Sequence, residues 1–375
     1  MTDSAPKEPV LKVAYILAYR APDYVRSRGL LRALALCPGV EVREARNASS
    51  GLVRYIEAWS ALLRLKKAFK PDVYVLGFRG HEIYWPVRWL TRGKPLVFDA
   101  LMSPSAALSE ENKAGWMGQA FAPMMRWLER SILRNADLIL TDTSAHIDFY
   151  ADQFGLSRAN LLALPVGALE IAETSGQAVQ PHPQSPFSVL FYGSMLPLHG
   201  IDTIVAAAAR LTDLPIRFDF VGGSQKQAQN LHQLCRQHGI THYTYRRWVP
   251  LEDLVKSDIP HADLCLGGPF GGTPQARRVV TSKTSQALAL GKATVIRATD
   301  ADLGFIDKHN CLLVAQADPA ALAQALRWAY AQRDELSKIG ERGRQLYRQK
   351  LSVDAIAQQL CPALCALHDR RRNRP

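Results

Sequence analysis

The chain has 375 residues, enough for two domains of ordinary size, each with its own core. Its 46 basic residues outnumber its 34 acidic ones, for a formal net charge of +12, so an anionic partner is expected. No apolar run reaches the roughly 18 residues of a membrane span, the start MTDSAPKEPV lacks a signal-peptide core, and Cys37, Cys235, Cys265, Cys311, Cys361 and Cys365 lack metal-ligand spacing, which reads as a cytoplasmic protein with free thiols and no zinc module.

In chain order, the hydrophobic run Val10 to Leu17 predicts a strand and Tyr24 to Leu36 a helix. Val40 to Ala45 is a short strand and Leu52 to Phe69 a helix with Trp59, Leu62, Leu63 and Leu65 near one side. Asp72 to Gly77 and Pro95 to Asp99 read as buried strands, Trp116 to Asn135 as a helix, and Ala136 to Thr141 as a further strand. Strands alternating with helices of this length predict a mostly parallel sheet. Residues 168–187, rich in small and polar residues and proline, break the pattern and read as a linker. A second alternating series starts at Ser188, with strands Val189 to Tyr192, Arg217 to Val221, Ala262 to Gly267 and Ala293 to Ile296. Pro319 to Ala331, Asp334 to Leu351 and Val353 to His368 close the chain as helices, followed by Arg370, Arg371, Arg372 and Arg374. The expected division is 1–170, a linker at 171–187, 188–350, and a terminal helix with basic tail at 351–375.

The richest stretch is His261 to Thr299, where an apolar strand runs into glycines, a basic cluster and a helix. Strands that end in glycine and open onto helices expose backbone N–H groups, and cations beside them suit an anion such as a diphosphate. In open α/β sheets ligands lie beyond the carboxyl ends of the strands. That rule selects Gly193 and Ser194, Gly222 and Gly223, and Gly271, Gly272 and Thr273 as binding positions, with Arg277, Arg278 and Lys283 as the cations. Lys283 is preferred because it sits in a helix's first turn, where the dipole also favours anions.

These blocks resemble the donor-binding half of family 4 retaining glycosyltransferases. Ala262-Asp263 and Gln286-Ala-Leu-Ala-Leu-Gly-Lys292 match the family's "AD" strand and its "EAMACGKPVVA"-like helix ending. Phe191-Tyr-Gly-Ser194 with Leu198-His-Gly-Ile-Asp-Thr-Ile204 resembles its "GxxxPxKGxDxLI" segment, Phe218 to Gly223 its "hhhVG" strand, and Tyr245 to Pro250 its "hxGxVP" turn. The resemblance spans about residues 186–350. It implies an α/β protein of GT-B architecture, two Rossmann-like doubly wound domains facing across a cleft. It also implies a metal-independent enzyme that moves a sugar from a nucleotide-sugar donor to a hydroxyl acceptor with retention, in cell-surface polysaccharide or glycolipid synthesis.

The resemblance assigns donor contacts to His199 and Gly200, to Trp248 and Val249 near the base, and to Gln286. Where many members carry two glutamates with seven residues between them, this chain has Arg278 and Gln286, and the lysine of the usual "KG" pair is His199. Diphosphate binding then shifts toward Lys283, with Lys283 and Arg278 stabilising the leaving group. On the acceptor side Asp99 is the leading candidate, with His81, Glu82, Asp142, Thr143 and His146 behind it. No cofactor or metal is called for, and Asp300-Ala-Asp302 is given no metal role. The expected partners are the donor, a saccharide or lipid-linked acceptor and an anionic membrane surface rather than nucleic acid, for which no recognition module is seen. Membrane contact is expected through Leu52 to Phe69 or Met117 to Leu133. Two other readings stay open: a sugar-nucleotide epimerase and a non-catalytic nucleotide-binding homologue.

Overall fold

A computed structural model describes residues 11–110, 115–169, 186–299 and 303–372. Most of the linker predicted at 171–187, and the pair Asp300 and Asp302, lie outside them. The chain divides into two compact units, Met1–Pro165 with Val353–Pro375, and Val166–Ser352.

The first unit is a six-stranded parallel sheet of order β2-β1-β3-β4-β5-β6. Its strands are β1 (Leu11–Leu17), β2 (Val40–Arg46), β3 (Val73–Leu76), β4 (Leu96–Asp99), β5 (Leu138–Thr141) and β6 (Leu161–Ala163). The inner strands VYVL, LVFD and LILT are buried at every residue. Uninterrupted apolar runs suit strands covered on both faces by helices. β2, at the edge, reads VEVREAR, mixes charge with Val and is largely exposed, which discourages further pairing.

The helix Val353–Arg372 belongs to this unit. Its Val353, Ile356, Leu360 and Leu364 share a core with Leu30 and Leu34 of the helix Val25–Ala35 and with Val13, Val73 and Val97 of the sheet. Cys37 and Cys361, expected as separate thiols, form a disulfide across these two helices. They lie 324 residues apart in sequence, so local spacing gives no hint of the pair. Arg371, one of the basic-tail residues, pairs with Asp137 at 3.0 Å.

The second unit repeats the architecture with order β12-β11-β10-β7-β8-β9. Its strands are β7 (Phe187–Tyr192), β8 (Ile216–Val221), β9 (Tyr243–Arg246), β10 (Leu264–Gly268), β11 (Thr294–Arg297) and β12 (Leu312–Val314). Strand order reverses between β7 and β10, and such a switch point leaves room for a ligand beyond the carboxyl ends. The aspartates that precede β10 and β5, in Ala262-Asp263 and Ala136-Asp137, lie at the opposite edge of their sheets. Asp263 accepts from the Ser188 amide at 2.8 Å and pairs with Arg333 at 2.7 Å. Asp137 accepts from the Leu96 amide at 2.9 Å and pairs with Arg88 at 3.0 Å. Both tie neighbouring strands together at the edge away from the switch point.

Candidate active site

The site is built at the switch point of the second unit. β7 ends in Gly193 (φ 142°) and β8 in Gly222 (φ 108°) and Gly223 (φ 82°). A Cβ on Gly222 would lie 2.2 Å from the Gly193 carbonyl oxygen, so the two turns touch and admit no side chain. The Gly193 and Gly222 amides extend the sheet, donating to the carbonyls of Val221 (2.9 Å) and Arg246 (2.8 Å). The next amides, Ser194 and Gly223, have no acceptor among the described residues. The turns therefore offer the N–H groups that follow the glycines of the strand ends.

Lys283 is set against the Gly193 turn. Thr281 accepts from the Thr284 amide and donates its hydroxyl to the Gly267 carbonyl at 2.6 Å, which fixes the start of the helix Ser282–Ala289 to the end of β10. Lys283 then falls in the first turn. Its Nζ lies 3.5 Å from where a Gly193 Cβ would stand and 5.5 Å from the centre of the Phe191 ring. The side chain is 6% exposed. Among the described residues no carboxylate pairs with it. Burial alone pulls its pKa down to about 7. A desolvated lysine beside a turn with unpaired backbone amides is an arrangement that suits an anion.

His199 adds no second cation. It is buried, its Nδ1 accepts from the Leu196 amide at 3.3 Å, and burial together with Lys283 holds its pKa well below the usual histidine value. The neutral ring instead shapes the turn Pro197–His199. Gly200 (φ 68°) follows, where a Cβ would meet the Phe270 backbone at 2.4 Å, and at Gly271 one would meet the Pro197 carbonyl oxygen at 2.1 Å. Gly200 and Gly271 thus let the third loop close on this turn.

A cavity of about 800 Å³ opens over the turns, walled by Gly193, Ser194, Gly222, Gly223, Arg247, Trp248 and Val249 among others. Trp248 is 75% exposed, so it is an open aromatic face on this wall rather than a core residue. Arg247, which sequence reasoning missed, carries an exposed guanidinium there without a partner among the described residues. The signal was the doubled arginine before Trp248: Arg246 is bound to Asp258, which leaves Arg247 as the spare charge.

Several expected contacts are placed elsewhere. Arg277 is exposed and its Nε donates to Gln316 Oε1 at 2.9 Å, while the Gln316 amide donates to the carbonyls of Gly271 and Thr273. It braces the loop, and Thr273 caps the helix Pro274–Arg278 through the Ala276 amide. Gly272 is an exposed position of the same loop. Arg278 is half-buried, and neither it nor Arg277 belongs to the cavity wall; Lys283 does not line the cavity either and reaches it only through the Gly193 turn that it contacts. Gln286 is not open to a ribose: its amide accepts from the Leu169 N–H at 2.7 Å and donates to the Leu169 carbonyl at 3.1 Å. It anchors the chain entering this unit, alongside Ser285, whose hydroxyl donates to the Val166 carbonyl at 2.6 Å.

In the first unit the side chain of Asp99 is engaged within the protein. It is wholly buried and held by Arg26 at 2.9 Å, and Arg26 also donates to the carbonyls of Leu164, Pro165 and Thr141. Burial pushes the Asp99 carboxyl up and the guanidinium opposes it, a closed structural pair. His146 is likewise buried against Asp142 at 2.7 Å, Thr143 caps the helix Ser144–Phe154, and Glu82 is bound by Tyr55 and Arg54. His81 stacks edge-on against Phe98, and burial lowers its pKa to about 3.

The fold is a pair of Rossmann-like domains, the second with a cavity at its switch point. Residues 13–167 match the glycosyl transferase 4-like domain and residues 186–332 match glycosyl transferases group 1. Both halves of the chain thus match glycosyltransferase domain models, and its two parallel-sheet units have the GT-B fold. Among solved structures, sucrose-phosphate synthase from Thermosynechococcus elongatus is similar at a TM-score of 0.72 and 17% identity, over 96% of this chain and 100% of that one. HepE from Anabaena, crystallised with UDP and glucose, is similar at 0.67 and 14% identity, over 95% and 100%. The pneumococcal O-GlcNAc transferase GtfA, crystallised with UDP and GlcNAc, reaches 0.56 at 14% identity, over 86% and 61%. At these identities the likeness concerns the fold. No curated protein sequence matches the chain.

Proposed function

We propose that the chain transfers a sugar, with retention and without a metal, from a nucleotide-sugar donor held by the second unit to a hydroxyl of a saccharide or lipid-linked acceptor. The observation that carries this reading is Lys283, buried, without a carboxylate partner among the described residues, and set against the turn at Gly193, which itself touches the turn at Gly222. When the glycosidic bond to a diphosphate breaks, negative charge grows on the leaving oxygens. The Lys283 ammonium and the Ser194 and Gly223 amides are fixed where that charge develops, so they lower the barrier without reorganising. Arg247 supports the diphosphate from the wall, and Trp248 with Val249 flanks the base. HepE and GtfA were crystallised with UDP, which makes uridine diphosphate the first nucleotide to test.

Two experiments test the reading. A thermal-shift series across nucleoside diphosphates is expected to give one base that raises the melting temperature, since a ligand bound only by the folded state stabilises it. Lys283→Ala is expected to lower turnover at least about tenfold, the equivalent of ~1.4 kcal/mol of transition-state stabilisation. Normal turnover in a folded Lys283→Ala protein would refute the assignment.

A further inference from the structure

The helix Gly115–Asn135 departs from the usual pattern of a surface helix. Its buried seam is narrow, consisting of Gly118, Ala122, Glu129, Ile132 and Leu133. The opposite side is apolar too. Trp116 and Trp127, three turns apart, share one line along the helix, and Met117, Phe121 and Met124, at spacings of four and three residues, form a second line beside it. Trp116 is 78% exposed, Trp127 71%, Met124 59% and Phe121 56%. A soluble surface normally carries charge on such a face, and contiguous exposed aromatics mark a docking surface.

Charge on the same helix says what docks there. Its only acidic residue, Glu129, lies on the buried side, bonded to Ser103 and Ser105. Arg130 and Arg134 are exposed and have no carboxylate partner among the described residues. A helix roughly 30 Å long, with tryptophan, phenylalanine and methionine outward and unneutralised arginines at one end, has the chemistry of the water–lipid boundary. Its aromatic rings fit the interfacial layer, and the arginines meet anionic headgroups. No helix among the described residues is long and apolar enough to cross a membrane, so the contact would lie on the surface. The same unit exposes a second apolar patch at Leu52, Val53 and Ile56.

We infer that the helix Gly115–Asn135 docks the protein onto an anionic bilayer, with Trp116, Phe121 and Trp127 inserted among the lipids and Arg130 and Arg134 on the headgroups. The inference is independent of the donor site in the second unit.

The test is flotation of the full chain with vesicles of phosphatidylcholine alone or mixed with phosphatidylglycerol. Binding is expected to the mixed vesicles and to be roughly tenfold or more weaker with the neutral ones. A Trp116→Ser, Phe121→Ser, Trp127→Ser variant is expected to lose binding to both while keeping its melting temperature and its nucleotide-induced thermal shift. Arg130→Gln with Arg134→Gln should remove the preference for anionic lipid and leave weak binding. Equal flotation of wild type and the triple serine variant would overturn the inference. So would a wild-type dimer that ignores vesicles and falls apart in that variant, which would assign the face to a second copy of the chain.

Discussion

The two units share a fold, yet they treat a buried charge beside their sheets in opposite ways. In the first, Asp99 ends β4 and is matched by Arg26, whose remaining donors are taken up by backbone carbonyls. In the second, Lys283 follows β10 with neither a carboxylate nor a carbonyl to meet it among the described residues, and its pKa falls to about 7. A buried ion pair holds structure, whereas a buried cation without a counter-charge costs stability in the free protein, a cost that an anion at the neighbouring turns would offset. The distinguishing feature is the partner, not the residue type or its place at the strand end.

The comparison can be broken from either side, and the largest effect is expected in the first unit. Asp99→Asn leaves the Arg26 guanidinium buried without its counter-charge and should destabilise the protein by about 3–5 kcal/mol in urea unfolding. A loss of activity with unchanged stability would instead return Asp99 to the acceptor site. In the second unit the sign reverses. Lys283→Met should raise the melting temperature of the free protein while abolishing nucleoside diphosphate binding. Because the folded pKa of Lys283 lies below its unfolded value, the unfolded chain binds more protons between about pH 7 and 10. Stability contributed at this position therefore rises with pH through that window, by up to about 1.4 kcal/mol per unit. Comparing wild type with Lys283→Met across this range isolates the slope.

Smaller effects sharpen the picture. Gly222→Ala forces a Cβ against the Gly193 carbonyl oxygen at a φ of 108° and should cost about 1–3 kcal/mol of stability. It should also weaken nucleotide binding, since both turns must shift. The least discriminating pair is Asp137→Asn and Asp263→Asn. Each loses charge-assisted bonds at the amino edge of its sheet, and both should destabilise by a similar ~1–3 kcal/mol with no change in nucleotide affinity once folded. A selective loss of binding in Asp263→Asn would mean that the "AD" segment reaches the ligand.

Much of the fold was legible because parallel strands covered on both faces must be apolar throughout. VYVL, LILT and SVLFY announce themselves. The edge strands were harder to read: Leu161–Ala163 and Leu312–Val314 have three residues each, and Tyr243–Arg246 is half-exposed, so its pattern reads as part of a turn. At the candidate site the local structure was legible where backbone conformation dictates residue type, in the turns at Gly193, Gly222 and Gly223, and where a cap marks a helix start, just before Lys283. It was not legible where a polar side chain must choose among partners. Gln286 is drawn to the Leu169 backbone, Arg277 to Gln316 and Asp99 to Arg26, each a long-range contact that residue type does not reveal. Arg247 escaped notice for the converse reason, since only the capture of Arg246 by Asp258 identifies its neighbour as the free charge.

Proton uptake on binding probes the lone cation most directly. Calorimetric titration of uridine diphosphate at pH 8, in buffers of different ionisation enthalpy, reports the protons exchanged. Lys283 is mostly neutral in the free protein at that pH and charged against the diphosphate, so uptake of about one proton is expected in wild type and none in Lys283→Met. Binding of similar strength in both proteins, with no proton taken up by either, would contradict the account.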